Sequence, residues 1–527
     1  VVDLLFWLDA HSLLPASPTL LDLASEDNTL FPTMKGVCTT KPSGDRGLWN
    51  ALSSLFGGEA DTLSEELKTA IQEVIQEANI EDFFLKSNRM KVNAWIVLFK
   101  ALLSNDHVHP SASIASLSSL FMLKLHWMVL LLSKNTDRIG MVWGLVISFL
   151  ERVRTMAMEK SMIYVLERVI VESASLANII LTKPQLSEQA LSLLTLLEPI
   201  PPHVCLSTRR VAAVFYLLPS LYPSLTTPTR WSHIFNLLMA DATNELARPL
   251  VWQALCRLLE EKKISVINFI PVLKCCLQTL DQSQDPSWSK QIIEFIFALT
   301  GYIVKSCAME SPQTLDVVET VDNIPSLDQC WLQCIAVLRS FADGSLQKDE
   351  EVAEFAVDRL QRCILRQGDG IPSGAALLKC FDSVMLGLLI HFGRTDREKS
   401  YIVGVFVSTL LASSETLTKQ PGFSSYWLRV IDVLCKYATQ GGSLSETTVE
   451  RMKNMLLVMS VEGRFDVMSS VAGQNMLEAT MTMLDSYCPS IRKDLEGIYQ
   501  PREETNESSV SGEVMAEMAP IEDAAVV

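Results

Sequence analysis

The sequence predicts an all-α protein, an α-solenoid built from degenerate helical repeats of the HEAT, armadillo or tetratricopeptide (TPR) kind. Three observations support this prediction. Apolar residues recur at spacings of three and four along most of the chain, hardly any stretch alternates with a period of two, and the connections are short and carry Pro, Gly, Asn or Ser. The repeats must be degenerate, because no strict sequence period is present.

The helical periodicity places the elements in order along the chain. Pro199 to Pro202 and Pro219 to Pro228 predict breaks, because proline removes a backbone donor and ends a helix. The predicted helical ranges are 67–103, 120–153, 162–180, 187–198, 209–218, 231–239, 246–261, 267–280, 291–306, 329–342, 352–366, 375–392, 399–411, 425–437 and 478–487.

Irregular stretches divide these helices into predicted domains. Residues 1–46 are expected to be the end of a preceding helical domain followed by a loop, and 47–310 a helical-repeat domain. Residues 311–326 are a predicted linker, and 327–500 form a second helical-repeat domain. Residues 501–527 hold seven acidic side chains and one arginine, which predicts a disordered acidic tail.

Composition narrows the function classes. The formal net charge is -17 and no basic stripe is visible, so a nucleic-acid partner is not expected. The 12 cysteines are scattered through apolar helical contexts, which indicates reduced thiols in a reducing compartment rather than a disulfide framework. The chain opens with Val rather than Met and without a signal peptide, so we expect a piece of a longer protein.

No transmembrane segment is predicted either. The longest apolar runs, 139–150 and 401–411, reach about a dozen residues, whereas a helix that crosses a bilayer needs about 20. These runs are therefore interpreted as buried core helices.

Motifs for catalysis or cofactor binding are missing from the sequence. It contains no phosphate-cradling glycine loop, nucleophile elbow or zinc-protease helix. His107 and His109 could bind a metal but have no further ligands at suitable spacing, so a solvated turn is the better interpretation. Cys330 and Cys334 are four apart on one helix face and are predicted to be core. We expect no catalytic residue, no cofactor and no metal, and the chain is not expected to be an enzyme.

One stretch could contact a membrane or a partner. It combines bulky apolar residues with positive charges, as amphipathic helices do at a lipid surface. The candidate surface residues are Phe83, Phe84, Lys86, Arg89, Lys91 and Lys100. The alternative is that the apolar residues of this stretch are core, namely Trp95, Val97, Leu98 and Leu102.

A methionine-rich stretch, 449–459, has the same ambiguity. Its apolar residues fall on one helix face and include Val449, Met452, Leu456 and Met459, with Met455 and Val458 widening the stripe. We predict a core helix rather than a cofactor site. Ser443 and Glu446 are a predicted capping box at its start.

The motifs resemble a known family. Residues 134–143, KNTDRIGMVW, resemble the N-x-D-R-h-x-x-h-W signature (h, apolar) of the large Arf guanine nucleotide exchange factors, of the Golgi brefeldin-A-resistance and GNOM type. Further matches follow in order and end in 452–459, MKNMLLVM, which is similar to the family pattern L-K-N-M-L-L-V-M. The residues that carry the resemblance are Asn135, Asp137, Arg138, Trp143, Trp331, Trp427, Lys453, Asn454 and Leu456. One departure is that Leu477 and Met481 stand where the family has two tryptophans of a W-E-x-T-W motif.

The resemblance implies a function. Residues 47–310 and 327–500 would be the second and third regions of homology downstream of the Sec-seven domain, which carries the exchange activity and is not found in this chain. The chain would then be a non-catalytic regulatory and membrane-targeting region of an Arf exchange factor. It would act in Golgi or ER–Golgi vesicle trafficking, cytoplasmic and peripheral on anionic membranes, with protein partners from the Arf machinery. The alternative is an unrelated helical-repeat scaffold or adaptor for protein–protein interaction.

Overall fold

The computed structural model describes residues 86–104, 114–198, 200, 204–280, 285–306, 324–346, 348–366, 372–393, 395–470, 473–489 and 491–492. Across these ranges the regular elements are helices, and the predicted all-α helical-repeat solenoid is confirmed. Predictions for 1–46, for Phe83 and Phe84, for His107 and His109, and for 501–527 lie outside the described residues. The chain divides into two compact units, Val1–Cys380 and Phe381–Val527. The predicted domain limits, including the linker 311–326, remain predictions.

Helices of the first unit stack in two rows. Each helix packs on its successor or on the helix after that, so α2, α4, α6, α8, α10 and α12 form one row, and α5, α7, α9, α11 and α13 form another. This is how a solenoid buries apolar stripes that a single helix pair would leave exposed. The helices are α1 (Val92–Leu103), α2 (Ile114–Lys134), α3 (Ile139–Glu159), α4 (Ile163–Leu181), α5 (Ser187–Thr195), α6 (Val204–Leu221), α7 (Pro228–Ala240), α8 (Arg248–Glu260), α9 (Phe269–Gln278), α10 (Pro286–Ser306), α11 (Leu327–Ala342), α12 (Glu350–Leu365) and α13 (Gly374–Cys380).

The second unit repeats this arrangement. It opens with a π-helical turn, Phe381–Met385, and α15 packs on α17 while α16 packs on both α14 and α19. Its helices are α14 (Leu386–His391), α15 (Asp396–Leu417), α16 (Phe423–Ala438), α17 (Gly442–Val461), α18 (Arg464–Val467) and α19 (Met476–Tyr487).

Several predicted helix limits were wrong. The predicted ranges 67–103 and 120–153 are each interrupted within the described residues, by the 3₁₀ turns Ser87–Arg89 and Thr136–Arg138. Pro219 lies inside the last turn of α6, because Leu218 and Leu221 around it are buried and their packing offsets the cost of a proline there. Ser443 and Glu446 do not cap α17, which begins earlier, at Gly442 with Gly441 at the N-cap. Both glycines have positive φ, 81° and 73°, a conformation that side-chain-bearing residues rarely adopt.

Two helical stretches are long and apolar enough to cross a bilayer by length and composition, Gly374–His391 and Asp396–Leu417. The sequence-based limit of about a dozen residues missed them because it counted uninterrupted apolar runs, and these helices include Ser, Thr, Lys and Asp. Half of the first stretch and 61% of the second are buried inside the fold, as in the core helices of a helical array.

A buried ion pair joins α6 to the end of α7. Arg210 Nε and Nη2 donate to the two carboxylate oxygens of Asp241, each at 2.7 Å, and both residues are at most 1% exposed. Arg210 Nη1 also donates to the carbonyl of Ile200 at 2.6 Å. The guanidinium therefore has partners on three of its nitrogens, which is the condition under which a buried charge is tolerated.

We expect Asp241→Ala to destabilise the first unit by about 3–5 kcal/mol, because it leaves the buried Arg210 charge without its counter-ion. The measurement is the shift of the urea midpoint followed by tryptophan fluorescence. Glu351→Ala is the control, since Glu351 is 82% exposed and pairs with Lys290 Nζ at 3.0 Å, so its loss should cost less than about 1 kcal/mol. Equal shifts for the two variants would contradict the role given to Asp241.

A partly buried polar cluster links α2 to α4. His126 Nδ1 is 3.9 Å from Glu172 Oε1, and the same oxygen is 3.3 Å from Arg168 Nη1. Burial, and then the positive charge of Arg168, lower the pKa of His126 to about 4. His126 is therefore neutral in the folded protein at neutral pH.

Stability should fall on acidification because of His126. In the unfolded chain its pKa is about 6.5, so the unfolded state binds the proton first as the pH drops. The stability that depends on neutral His126 is fully present above about pH 6.5 and is lost between that pH and about 4. After allowing for solvent screening, the total loss is about 2 kcal/mol. Urea midpoints at pH 7 and 4.5 should differ less for His126→Gln than for the wild type. An unchanged difference would show that another group controls the pH dependence.

Candidate membrane or partner surface

Asn135, the first residue of the family-like signature, is a buried anchor. Its side chain is 0% exposed, and its amide nitrogen donates to Ser87 Oγ and to the carbonyl of Leu131, each at 2.8 Å. Ser87 begins a short 3₁₀ turn, Ser87–Arg89, directly before α1. Asn135 therefore ties the end of α2 to the segment that carries the candidate basic residues.

Arg138 of the same signature holds the start of α1. Its Nη2 donates to the carbonyl of Asn88 at 2.9 Å, and its guanidinium lies over the Trp95 ring, 5.9 Å from the centroid. Asp137 is 74% exposed and lies 3.8 Å from Arg138 Nε. Trp143 is half-buried. The signature residues thus act in folding, since they position a turn and a helix.

Two further cations hold the other end of α1. Lys124 Nζ donates to the carbonyl of Ser104, and Arg152 Nη2 donates to the carbonyl of Leu103 at 3.0 Å. Positive charge is favourable here because a helix C-terminus carries unpaired carbonyls and the negative end of the dipole. Because Arg138 meets the start of α1 and Arg152 its end, α1 and α3 run side by side in the same direction.

The bonds at both ends of α1 determine which face of the helix is exposed. Trp95, Phe99 and Leu102 are buried, whereas Val97 is 66% exposed and Leu98 is half-buried. The alternative in which all four apolar residues are core is therefore wrong for Val97. Its side chain points about 200° around the helix from Trp95, away from the face that packs on α2.

Positive and apolar side chains share the resulting surface, which we call the α1–α3 surface. Its exposed cations are Lys86, Arg89, Lys91 and Lys100, and its exposed apolar side chains are Val92, Val97, Met141 and Leu145, with Met141 60% exposed. Gly140 and Gly144 add open space on α3. Sequence reasoning missed Met141 and Leu145, although their spacing of four places them on one stripe outside the buried Val142–Val146 stripe.

The other signature residues are mostly structural. Trp331 and Trp427 are at most 1% exposed. Trp427 Nε1 donates to Thr480 Oγ1 at 2.9 Å, and its ring meets Phe465 edge-on at 5.7 Å. Thr480 lies in the stretch 477–481, where this sequence departs from the W-E-x-T-W motif of the family. Leu477 and Met481, which replace the two tryptophans, are half-buried.

The methionine-rich helix α17 buries one of its faces in the core of the second unit. Met452, Met455, Leu456 and Met459 are 0% exposed, as predicted, and Val449 and Val458 are half-buried at the edges. Lys453 is also half-buried, and Asn454 is exposed. The two polar residues of this motif therefore lie outside the core.

The thiols whose side chains the structure describes are free, and all of them are buried except that of Cys256, which is half-buried. Cys330 and Cys334 are core, as predicted. Burial raises the pKa of Cys275 to about 12 and that of Cys363 to about 11, so these thiols stay protonated and unreactive at neutral pH. Within the described part of the chain, no group of three or more His, Cys, Asp or Glu could hold a metal ion.

Comparison with known proteins confirms the resemblance read from the motifs. Residues 331–491 match the family model described as the GBF1-like, tetratrico peptide repeat region. The chain is 26% identical over 187 residues to the ARF guanine-nucleotide exchange factor GNOM of Arabidopsis thaliana, which covers 32% of this chain and 13% of GNOM. It is 27% identical over 154 residues to the Golgi-specific brefeldin A-resistance guanine nucleotide exchange factor 1 homolog of Caenorhabditis elegans, 27% of this chain and 8% of that protein. No solved structure matches. The aligned segments therefore span only a small part of either relative.

We expect Asn135→Ala to loosen the basic turn. The variant loses two buried hydrogen bonds, a cost of about 1–3 kcal/mol, and Ser87 loses its tie to α2. Hydrogen–deuterium exchange should be faster at the amides of Arg89 and Met90, which close this turn. Asn93→Ala, on the exposed face of α1, should leave the exchange unchanged. If Asn135→Ala exchanged like the wild type, Asn135 would not be the anchor.

Proposed function

We propose that this chain is a non-catalytic regulatory and membrane-targeting region of an Arf-GTPase guanine nucleotide exchange factor that acts in Golgi or ER–Golgi vesicle trafficking. It associates peripherally with anionic membranes on the cytoplasmic side and works with protein partners of the Arf machinery. Both relatives that support this proposal are named as guanine nucleotide exchange factors. The name of the first specifies ARF, and that of the second specifies the Golgi and brefeldin A resistance.

The α1–α3 surface is the observation that carries the membrane role. Four exposed cations lie on or beside two parallel helices, next to exposed Val97 and Met141. Each cation near an anionic bilayer contributes about 1 kcal/mol, so the four together contribute roughly 4 kcal/mol, and inserted apolar side chains add to this. The net charge of -17 opposes binding only weakly, because charges more than about 8 Å away are screened.

A rigid surface suits this role. The α1 backbone is held at its start by Arg138 and at its end by Arg152 and Lys124, so its cations are already arranged before binding. Little conformational entropy then opposes the association. The competing function is a helical-repeat scaffold that binds only proteins through its extended surface.

Vesicle sedimentation separates the two functions. The chain should sediment with vesicles of phosphatidylcholine containing phosphatidylserine and phosphatidylinositol, and less with phosphatidylcholine alone. Arg89→Glu, Lys91→Glu and Lys100→Glu together should reduce binding at least tenfold, because three attractive contacts become repulsive.

Matched variants make the test specific. Lys262→Glu, Lys274→Glu and Lys348→Glu make the same change of net charge at exposed lysines elsewhere in the first unit and should bind nearly as the wild type does. Val97→Ser with Met141→Ser keeps every charge and should remove the part of the binding that resists high salt. A folded wild-type chain that does not sediment with the anionic vesicles would contradict membrane targeting and favour the scaffold.

A further inference from the structure

A groove runs between α8 and α10, in a part of the first unit that the motifs do not touch. It has a volume of about 820 Å³ and is open to solvent along its length. We call it the α8–α10 groove. It is lined by Trp252, Cys256, Leu259 and Glu260 from α8 and by Lys290, Glu294, Phe295 and Ala298 from α10.

The floor is a preformed aromatic cluster. The Trp252 ring centroid is 5.1 Å from that of Trp288 and 5.3 Å from that of Phe295. Trp288 is fixed in turn, because its indole nitrogen donates to the carbonyl of Thr279 at 2.9 Å. Trp252 is half-buried and thus leaves part of its ring open to the groove. Rigid aromatic surface of this kind is typical of positions that receive an apolar anchor side chain.

Charges on the rim make the groove selective. Lys290 Nζ is 3.0 Å from Glu351 Oε2, so a carboxylate already neutralises it. Glu294 Oε1 accepts from Arg359 Nε at 2.7 Å. Glu260 stands exposed at the other side, and its charge reaches the floor, where burial first and then Glu260 raise the pKa of the Cys256 thiol to about 11. The side chain best suited to this rim is therefore a cation beside Glu260.

The shape of the lining favours a helix as the occupant. Two helices line the groove with side chains only, so an extended peptide would find no backbone partners there, whereas a helix satisfies its own. From Trp252 to Glu260 the lining of α8 extends about 12 Å, which matches a contact of two to three helical turns. Cys256 and Ala298 are small and allow close approach.

We propose that the α8–α10 groove binds an amphipathic helix of a partner protein, with an apolar side chain against Trp252 and Phe295 and a Lys or Arg paired with Glu260. This binding surface is separate from the α1–α3 surface, and the proposal does not depend on membrane targeting. The helix needs apolar residues at spacings of three and four and a basic residue at their flank.

The test uses the full chain and a fluorescein-labelled synthetic 14-residue helix of Leu, Ala and Lys, with Leu at spacings of three and four and Lys on the flank. Fluorescence anisotropy should show saturable binding. A scrambled peptide of the same composition should bind at least tenfold more weakly, since its leucines no longer share a face.

Two variants locate the binding. Glu260→Lys should weaken the peptide about tenfold, whereas Glu245→Lys, the same charge change at an exposed residue outside the groove, should stay within about twofold of the wild type. Ala298→Trp fills the groove and should also abolish binding. Far-UV circular dichroism verifies that each variant is folded.

An Ala298→Cys variant gives a readout inside the groove, because Ala298 is exposed whereas the raised pKa of Cys256 keeps that thiol protonated. Saturating peptide should slow the reaction of the added thiol with iodoacetamide, measured by mass spectrometry, and the scrambled peptide should not. The proposal is overturned if the peptide does not bind, if Glu260→Lys and Glu245→Lys bind it equally, or if the added thiol reacts at the same rate with and without the peptide.

Discussion

Unpaired carbonyls at helix C-termini are the constraint on which this array depends. Every helix leaves its last four carbonyl groups without an internal partner, and stacked helices bring many of these ends away from water. In the first unit, long cationic side chains from other helices donate hydrogen bonds to some of these carbonyls. Arg152 and Lys124 donate hydrogen bonds to carbonyls at the end of α1, and Arg154 donates one to the carbonyl of Leu196 at the end of α5. Each bond satisfies an acceptor and places positive charge at the negative end of a helix dipole.

Side chains that stabilise the fold also position the α1–α3 surface. Arg138 and Asn135 belong to a motif that resembles an exchange-factor signature, yet their contacts are structural, to Asn88 and Ser87. By fixing this turn they determine where the neighbouring exposed cations lie. A change at Asn135 is therefore expected to alter the α1–α3 surface without touching any residue that faces solvent. Sequence motifs in helical arrays can mark the supports of a surface rather than the surface itself.

The sequence pattern predicts what is local. Periodicity over a few turns gives the helices and the buried face of α17, because burial acts on residues three and four apart. It does not show contacts between distant residues, such as Asn135 with Ser87 or Arg210 with Asp241, because nothing near either residue signals its partner. The orientation of α1 shows the same limit. Val97 is as apolar as its neighbours, and its exposure depends on Arg138 and Arg152, which come 41 and 55 residues later.

Two surfaces of opposite charge can work independently on one unit. The α1–α3 surface is positive and the rim of the α8–α10 groove is negative, and the stacking order α2, α4, α6, α8 separates them by three helix spacings. At 8–10 Å per spacing the separation is roughly 25 Å, about three Debye lengths at physiological salt. At this distance salt screens the electrostatic interaction between the two surfaces. Reversing charges on the α1–α3 surface should therefore leave binding at the α8–α10 groove unchanged, and the converse should also hold. The proposed membrane contact and the proposed contact with a basic helix are therefore compatible on one chain of strongly negative net charge, because each depends on charges within its own few ångströms.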